Sequence, residues 1–106
     1  MNKERIAQLE QFRKESPNDP FLLYALATEY KEEKPEKAKL FFDELLEKYE
    51  DYIGSYYHAA SLYAEHFDRE KADKIYQKGI EMAQQLNEHH ALKELKNAYT
   101  NFQFEE

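Results

Sequence analysis

The chain has 106 residues and a formal net charge of −7, with two Gly, three Pro and no Cys. Its length suits one domain with a single core, and so few turn-forming residues favour helices over strands, so we predict an all-α fold. The acidic balance argues against a nucleic-acid partner, since Lys and Arg are interleaved with Glu and Asp, and the lack of Cys excludes disulfides and thiolate metal sites.

The first two predicted helices are separated by a turn that contains Pro. Residues 3–15 form a short amphipathic helix whose apolar side carries Ile6, Leu9 and Phe12. The second helix begins after Asp19-Pro20, because Asp is a favoured N-cap and Pro suits the first helical position. It runs to about Glu32, and we expect its inward side chains to be Leu23, Leu26, Ala27 and Tyr30.

The next three predicted helices carry apolar stripes at helical spacing. The third, about 35–49, turns inward Ala38, Phe41, Phe42, Leu45 and Leu46. The fourth, about 52–66, is expected to be capped by Asp51 and to turn inward Tyr56, Ala59, Ala60 and Tyr63. The fifth, about 69–86, is expected to be capped by Asp68 and to turn inward Ala72, Ile75, Tyr76, Gly79, Ile80 and Ala83. Because Gly costs helix stability, Gly79 predicts a close approach of the following helix.

The sixth predicted helix, about 88–103, has one apolar side and one polar side. The apolar side carries Ala91, Leu92, Leu95, Ala98, Tyr99 and Phe102. A terminal helix of this kind covers the apolar face that a stack of helices leaves open, so we predict a capping helix. Beyond it, we expect Phe104, Glu105 and Glu106 to fray.

One pattern occurs twice between Leu23 and Gln84. Leu23-x2-Leu26-Ala27-x2-Tyr30, followed by Ala38-x3-Phe42, returns 33 to 34 residues later as Tyr56-x2-Ala59-Ala60-x2-Tyr63, followed by Ala72-x3-Tyr76. The pattern resembles the tetratricopeptide repeat, whose signature of Trp, Leu-Gly, Tyr, Ala, Phe and Pro has the same intervals. Leu23 and Tyr56 replace its Trp, and Ala27 and Ala60 replace its Gly. Its closing Pro is replaced by Glu50 and Gln84.

The resemblance implies a right-handed superhelix of about six helices arranged in antiparallel pairs. It divides a single tetratricopeptide-like domain, residues 1–106, into four parts. These are an N-terminal half-repeat or capping helix (1–17), a first repeat (18–50), a second repeat (51–86) and a C-terminal capping helix (87–106).

The resemblance also implies a non-enzymatic protein–protein interaction module that holds a short peptide of a partner in a concave groove. The matching groove positions are Phe21, Tyr24, Thr28, Lys31, Tyr57, His58, Ser61, Ala64 and Glu65. Tyr24 and Tyr57 are equivalent, and they are either exposed binding residues or core residues covered by the capping helices. Some family members grip a terminal carboxylate with several cations. Lys31 is the only cation here, which argues against such a clamp.

The alternative is a structural adaptor that self-associates into a homo-oligomer through its terminal helices, by way of Phe12, Phe102 and Phe104. No other chemistry is indicated. The four His lack ligand spacing, although His66 could pair with Asp68 or Glu70 across a turn. We therefore expect no catalytic residue, metal or other cofactor. No apolar run is long enough for a signal peptide or a membrane span, so we expect a cytoplasmic protein without a membrane partner.

Overall fold

The structure, a computed structural model, describes residues 1–105. Within them it contains no strand and six helices: α1 (Lys3–Glu15), α2 (Pro20–Tyr30), α3 (Pro35–Lys48), α4 (Gly54–His66), α5 (Arg69–Gln85) and α6 (His89–Phe104). The all-α prediction is confirmed, and no predicted helix end is wrong by more than two residues. None of these helices combines the length and the apolar character that crossing a bilayer requires.

The helices form two compact units, one from Met1 to Tyr49 and one from Glu50 onwards. In the first unit α2 packs against both α1 and α3. The buried apolar residues of this unit are Leu9, Leu22, Leu23, Ala25, Leu26, Ala27, Tyr30, Ala38, Phe42 and Leu45. Of the three residues on the apolar side predicted for α1, Leu9 is buried, Ile6 is half-buried and Phe12 is 48% exposed. Helix α1, which packs against α2, contributes only Leu9 to this core.

In the second unit, α4, α5 and α6 pack against one another in all three pairings. The buried residues are Ser55, Tyr56, Ala59, Ala60, Leu62, Tyr63, Ala72, Ile75, Tyr76, Gly79, Ala83, Leu95 and Phe102. The inward positions predicted for α4 are all among them. The predicted boundaries of the repeats and of a single domain stay predictions.

At two of the three predicted N-caps, a side-chain carboxylate accepts hydrogen bonds from the first turn of the helix. The Asp19 carboxylate accepts a hydrogen bond from the Phe21 N–H, and the Asp68 carboxylate accepts from the first-turn N–H groups of α5. The prediction that Asp51 caps α4 is wrong. The N-cap of α4 is Ile53, and the Ser55 N–H and hydroxyl both donate to the Tyr52 carbonyl, which makes a backbone turn at the start of this helix.

Gly79 lies where helices approach closely, as predicted. The helix nearest to it is α4, however, whereas the sequence predicted the following helix, α6. A Cβ at position 79 would lie 2.7 Å from the Cβ of Tyr56 on α4 and 3.3 Å from a side-chain carbon of Leu95 on α6. The prediction considered only the following helix. In the folded unit the preceding helix comes nearer, because α4 and α5 form the tightly packed pair of one repeat.

The end of α6 is held by a side chain of α5. The Arg69 guanidinium donates to the Phe102 carbonyl at 3.0 Å and to the Glu105 carbonyl at 2.8 Å, and it lies 4.2 Å from the centre of the Phe102 ring. Phe104 is the last residue of α6 and Glu105 is its C-cap, and the fraying expected from Phe104 onwards stays a prediction. Glu106 lies outside the described residues.

Candidate functional site

A cleft of about 200 Å³ opens on the surface of the second unit, and we name it the α4–α6 cleft. Helix α4 lines it with Tyr57, Ser61, Ala64 and Glu65, which face one side of the helix because they are spaced by three or four residues. The other lining residues are Tyr76 on α5, Ala98, Asn101 and Phe102 on α6, and the C-cap Glu105. Four of the five positions predicted in the second repeat therefore lie together on one side of this cleft.

The base of the α4–α6 cleft is aromatic. Tyr76 and Phe102 are 5% and 8% exposed, and their ring centres are 5.3 Å apart. Tyr57 is 46% exposed and is therefore available to a bound group. An exposed Tyr beside buried rings offers contact area with little loss of side-chain entropy on binding.

Polar groups line the rim of the cleft. The Ser61 hydroxyl donates to the Glu65 carboxylate at 3.2 Å, one helical turn away. Burial raises the pKa of the Tyr76 hydroxyl above its ordinary value, and the nearby Tyr57, Glu105 and Glu65 raise it further, whereas Arg69 lowers it. The two charged residues that line the cleft, Glu65 and Glu105, are both acidic.

His58, the fifth predicted position in the second repeat, does not line the cleft. Its side chain is half-buried, and its ring packs edge-on against the Tyr57 ring with 5.4 Å between the centres. This contact makes His58 a support for Tyr57 at the side of the cleft.

The predicted positions of the first repeat lie along α2 in the first unit. Phe21 is 48% exposed, whereas Tyr24, Thr28 and Lys31 are half-buried. The Thr28 hydroxyl donates to the Ala25 carbonyl at 2.9 Å, and Lys31 is the C-cap of α2. Of the two equivalent tyrosines, Tyr57 is therefore exposed, as a binding residue would be. Tyr24 is half-buried, so it is neither fully exposed nor covered like a core residue.

The residues of α6 in the cleft were missed by the sequence reasoning. Ala98 was assigned only to the capping face, Phe102 was assigned to that face and to the self-association alternative, and Asn101 was not singled out. A signal did exist, since positions 98, 101, 102 and 105 follow one another at i, i+3, i+4 and i+7 and therefore share one side of a helix, as the lining positions of α4 do. The sequence did not show which two helices would face each other across a cleft.

The His and carboxylate groups examined as metal ligands are scattered. Within residues 1–105, no three His, Asp or Glu side chains lie where they could hold a metal ion together. The nearest carboxylate contact of His66 is to Glu65 at 3.8 Å, and that of His90 is to Glu94 at 3.6 Å. The pairing of His66 with Asp68 or Glu70, considered from the sequence, is not seen among these contacts.

Two solved structures are similar to this chain. One is the crystal structure of a tetratricopeptide repeat domain protein from Salinibacter ruber, with 37% identity and a TM-score of 0.77, covering 84% of this chain and 100% of that chain. The other is a solution NMR structure of a tetratricopeptide repeat domain protein from Salinibacter ruber, with 40% identity and a TM-score of 0.77, covering 85% of this chain and 92% of that chain. No protein-family model and no curated protein matches the chain.

Proposed function

Because this chain belongs to the tetratricopeptide repeat family, we propose that it binds a short peptide segment of a partner protein and catalyses no reaction. The family likeness supports a protein-interaction module in general, and the peptide-binding role goes beyond it. Helical repeat folds perform many roles, so a specific function has to be inferred from the residues of the site.

The α4–α6 cleft is the observation that supports peptide binding. Its exposed Tyr57, its buried aromatic base and its hydrogen-bonding rim combine an apolar contact surface with orienting polar groups. A volume of about 200 Å³ fits one side chain of a partner, whereas sites for drug-sized ligands are roughly 300–1,000 Å³. The cleft is therefore suited to anchoring a residue of a peptide.

The first unit offers a separate contact surface along α2. Phe21 is the exposed apolar residue there, and the half-buried Tyr24 and Lys31 lie further along the same helix. We assign these residues a secondary role in peptide binding, to be tested independently of the cleft.

The test is to capture partners from native lysate with the wild type, Tyr57→Ala and Leu86→Ala. Leu86 is a matched control because its side chain is 44% exposed, close to the 46% of Tyr57, and it does not line the cleft. Overlapping synthetic peptides of each captured protein are then titrated against all three proteins by fluorescence anisotropy. We expect a short peptide whose affinity falls by about tenfold with Tyr57→Ala, as for a binding hot spot, and stays unchanged with Leu86→Ala.

A peptide that binds both variants as it binds the wild type would move the site away from the cleft, and Phe21→Ala would then test α2. If no peptide of any captured protein binds, the peptide-binding function is wrong.

Self-association is the second candidate function, and the exposure of two Phe side chains favours it. Phe12 is 48% exposed and Phe104 is 84% exposed. Phe102 cannot serve as a docking residue, because it is buried against Tyr76 and beneath Arg69. Sedimentation at several concentrations tests this candidate, which predicts a mass that rises with concentration for the wild type and a constant monomer mass for Phe104→Glu.

A further inference from the structure

The charges at the α4–α6 cleft indicate which side chain it accepts. Two of its lining residues, Glu65 and Glu105, are charged, and both are acidic. They come from opposite sides of the cleft, one from α4 and one from the end of α6. We propose that the cleft binds a Lys or Arg side chain of the partner peptide, an inference that rests on the proposed peptide-binding function.

The acidic groups are not neutralised by a direct pair with the nearby Arg69. Its guanidinium is committed to the backbone carbonyls of Phe102 and Glu105 and to the Phe102 ring. Glu65 accepts a neutral hydrogen bond from Ser61, and the His66 imidazole, at 3.8 Å, is beyond hydrogen-bond range. A positively charged side chain of a partner would therefore form ion pairs with these carboxylates.

The apolar part of the cleft suits the stem of the same side chain. Lys and Arg bury their methylene groups against apolar surface while the charged head stays at a polar rim. Tyr57 is exposed beside the rim, and an Arg guanidinium or Lys ammonium over such a ring gains a cation–π interaction. A neutral apolar residue would fill the same space and leave both carboxylates without a cation.

The raised pKa of the Tyr76 hydroxyl is consistent with this assignment. After burial and Tyr57, its causes include the charges of Glu105 and Glu65, so these carboxylates act on the base of the cleft. The net charge of −7 would also favour the approach of a basic peptide over an acidic one.

The test uses random peptides displayed on phage, selected on the full-length wild-type chain and on Glu65→Gln/Glu105→Gln. Selected sequences are synthesised with each Lys or Arg retained or replaced by Met, and their affinities are measured by fluorescence anisotropy. Glu94→Gln is the control for the loss of a carboxylate, because it removes one negative charge from an exposed residue of α6 outside the cleft. Tyr57→Ala reports whether a peptide uses the cleft at all, and circular dichroism confirms the helicity of each variant.

We expect peptides that depend on Tyr57 to contain a Lys or Arg whose replacement by Met weakens binding about three- to tenfold on the wild type and on Glu94→Gln. On the double variant the same replacement should have little effect.

Two results would overturn the inference while the proposed function stands: peptides that depend on Tyr57 but have no preference for a basic residue, or a basic preference that persists in the double variant. Peptides that bind without regard to Tyr57→Ala would also overturn it, and would place binding elsewhere on the chain. If no peptide is selected on the wild type, the proposed function fails together with the inference.

Discussion

Gly79 is the position at which the helices of the second unit approach most closely. In Gly79→Ala the new Cβ would meet the Tyr56 Cβ at 2.7 Å, and neither carbon can rotate away. The gain in helix propensity is about 1 kcal/mol, but the overpacking costs typically 1–3 kcal/mol and forces α4 and α5 apart. We expect a net loss of up to about 2 kcal/mol in the free energy of unfolding, measured by urea denaturation.

The control for this prediction is Gly54→Ala. At position 54 a Cβ would lie 3.7 Å from a Tyr52 ring carbon, an ordinary contact, and the backbone φ is negative. We expect this variant to be as stable as the wild type, or more stable by up to about 1 kcal/mol. An equal loss in both variants would show that the tight contact at Gly79 is not the cause.

Tyr56 makes the stability of the second unit depend on pH in the alkaline range. Burial raises the pKa of its hydroxyl to about 12, helped by the charges of Glu50, Asp51 and Glu81, and this hydroxyl donates to the Glu50 carbonyl at 2.7 Å. Since the pKa in the folded state is above the value of 10.0 for a free Tyr, the stabilisation is complete below pH 10 and is lost as the pH rises towards 12.

We therefore expect the unfolding free energy of the wild type to fall by up to about 1.4 kcal/mol per pH unit above pH 10 through this residue alone. Tyr56→Phe should be about 1 kcal/mol less stable at neutral pH, because the Glu50 carbonyl loses its donor, and its stability should fall less steeply at alkaline pH. Urea denaturation of both proteins from pH 8 upwards measures the difference. Parallel curves would contradict the prediction.

The start of α5 is stabilised by two hydrogen bonds to a single side chain. Asp68 accepts hydrogen bonds from the N–H groups of Glu70 and Lys71, at 3.0 and 3.4 Å. Asp68→Ala should lower the unfolding free energy by about 1 kcal/mol, as measured by urea denaturation. Asp51→Ala is the comparison, because Asp51 does not cap α4, and it should stay within about 0.5 kcal/mol of the wild type.

The end of α6 depends on Arg69. Arg69→Ala removes two hydrogen bonds to backbone carbonyls and the contact with the Phe102 ring. We expect a loss of about 1–2 kcal/mol and faster amide exchange in the last turn of α6, because the freed carbonyls return to water. Arg69→Lys should recover only part of this, since a Lys ammonium lacks the planar fork of donors. Unchanged exchange in Arg69→Ala would show that the end of α6 does not need this side chain.

Local chemistry explains which elements could be predicted. Asp19-Pro20 and Asp68 mark helix starts because a cap needs only side chains within the first turn. The prediction that Asp51 caps α4 was wrong because α4 begins with a turn in which the Ser55 N–H and hydroxyl donate to the Tyr52 carbonyl. The presence of a carboxylate in the sequence does not reveal such hydrogen bonds. Every position that the repeat motif placed inward on α2 and α4 is buried, since motif positions are packing positions. The motif did not predict the burial of Leu22, Ala25, Ser55 and Leu62.

The candidate site could be predicted only in part. Tyr57, Ser61, Ala64 and Glu65 followed from their place in the repeat, but the residues of α6 that face them did not, because α6 lacks the motif and its position depends on tertiary packing. The unequal exposure of Tyr24 and Tyr57 shows the same limit. Equivalent positions in sequence acquire different neighbours when the helices around them differ.

For the whole molecule, the net charge of −7 is a source of self-repulsion. The ion pairs within residues 1–105 are mostly exposed, as in Lys74–Glu70, and such pairs contribute little to stability. Moving from low to physiological ionic strength should therefore raise the melting temperature by roughly 2–4 °C, because screening relieves repulsion more than it weakens ion pairs.

A variant with Glu15→Gln and Glu88→Gln, both exposed positions, should show a smaller rise in calorimetry. A melting temperature that falls with salt would show that the ion pairs outweigh the repulsion.

The close contact at Gly79 also has an evolutionary consequence. Its nearest neighbour is the Cβ of Tyr56, an atom that every amino acid except glycine possesses. No ordinary substitution at position 56 can therefore compensate for a larger residue at position 79. In homologues that keep this helix spacing, the two positions should not covary: position 79 should stay glycine whichever residue with a Cβ occupies position 56.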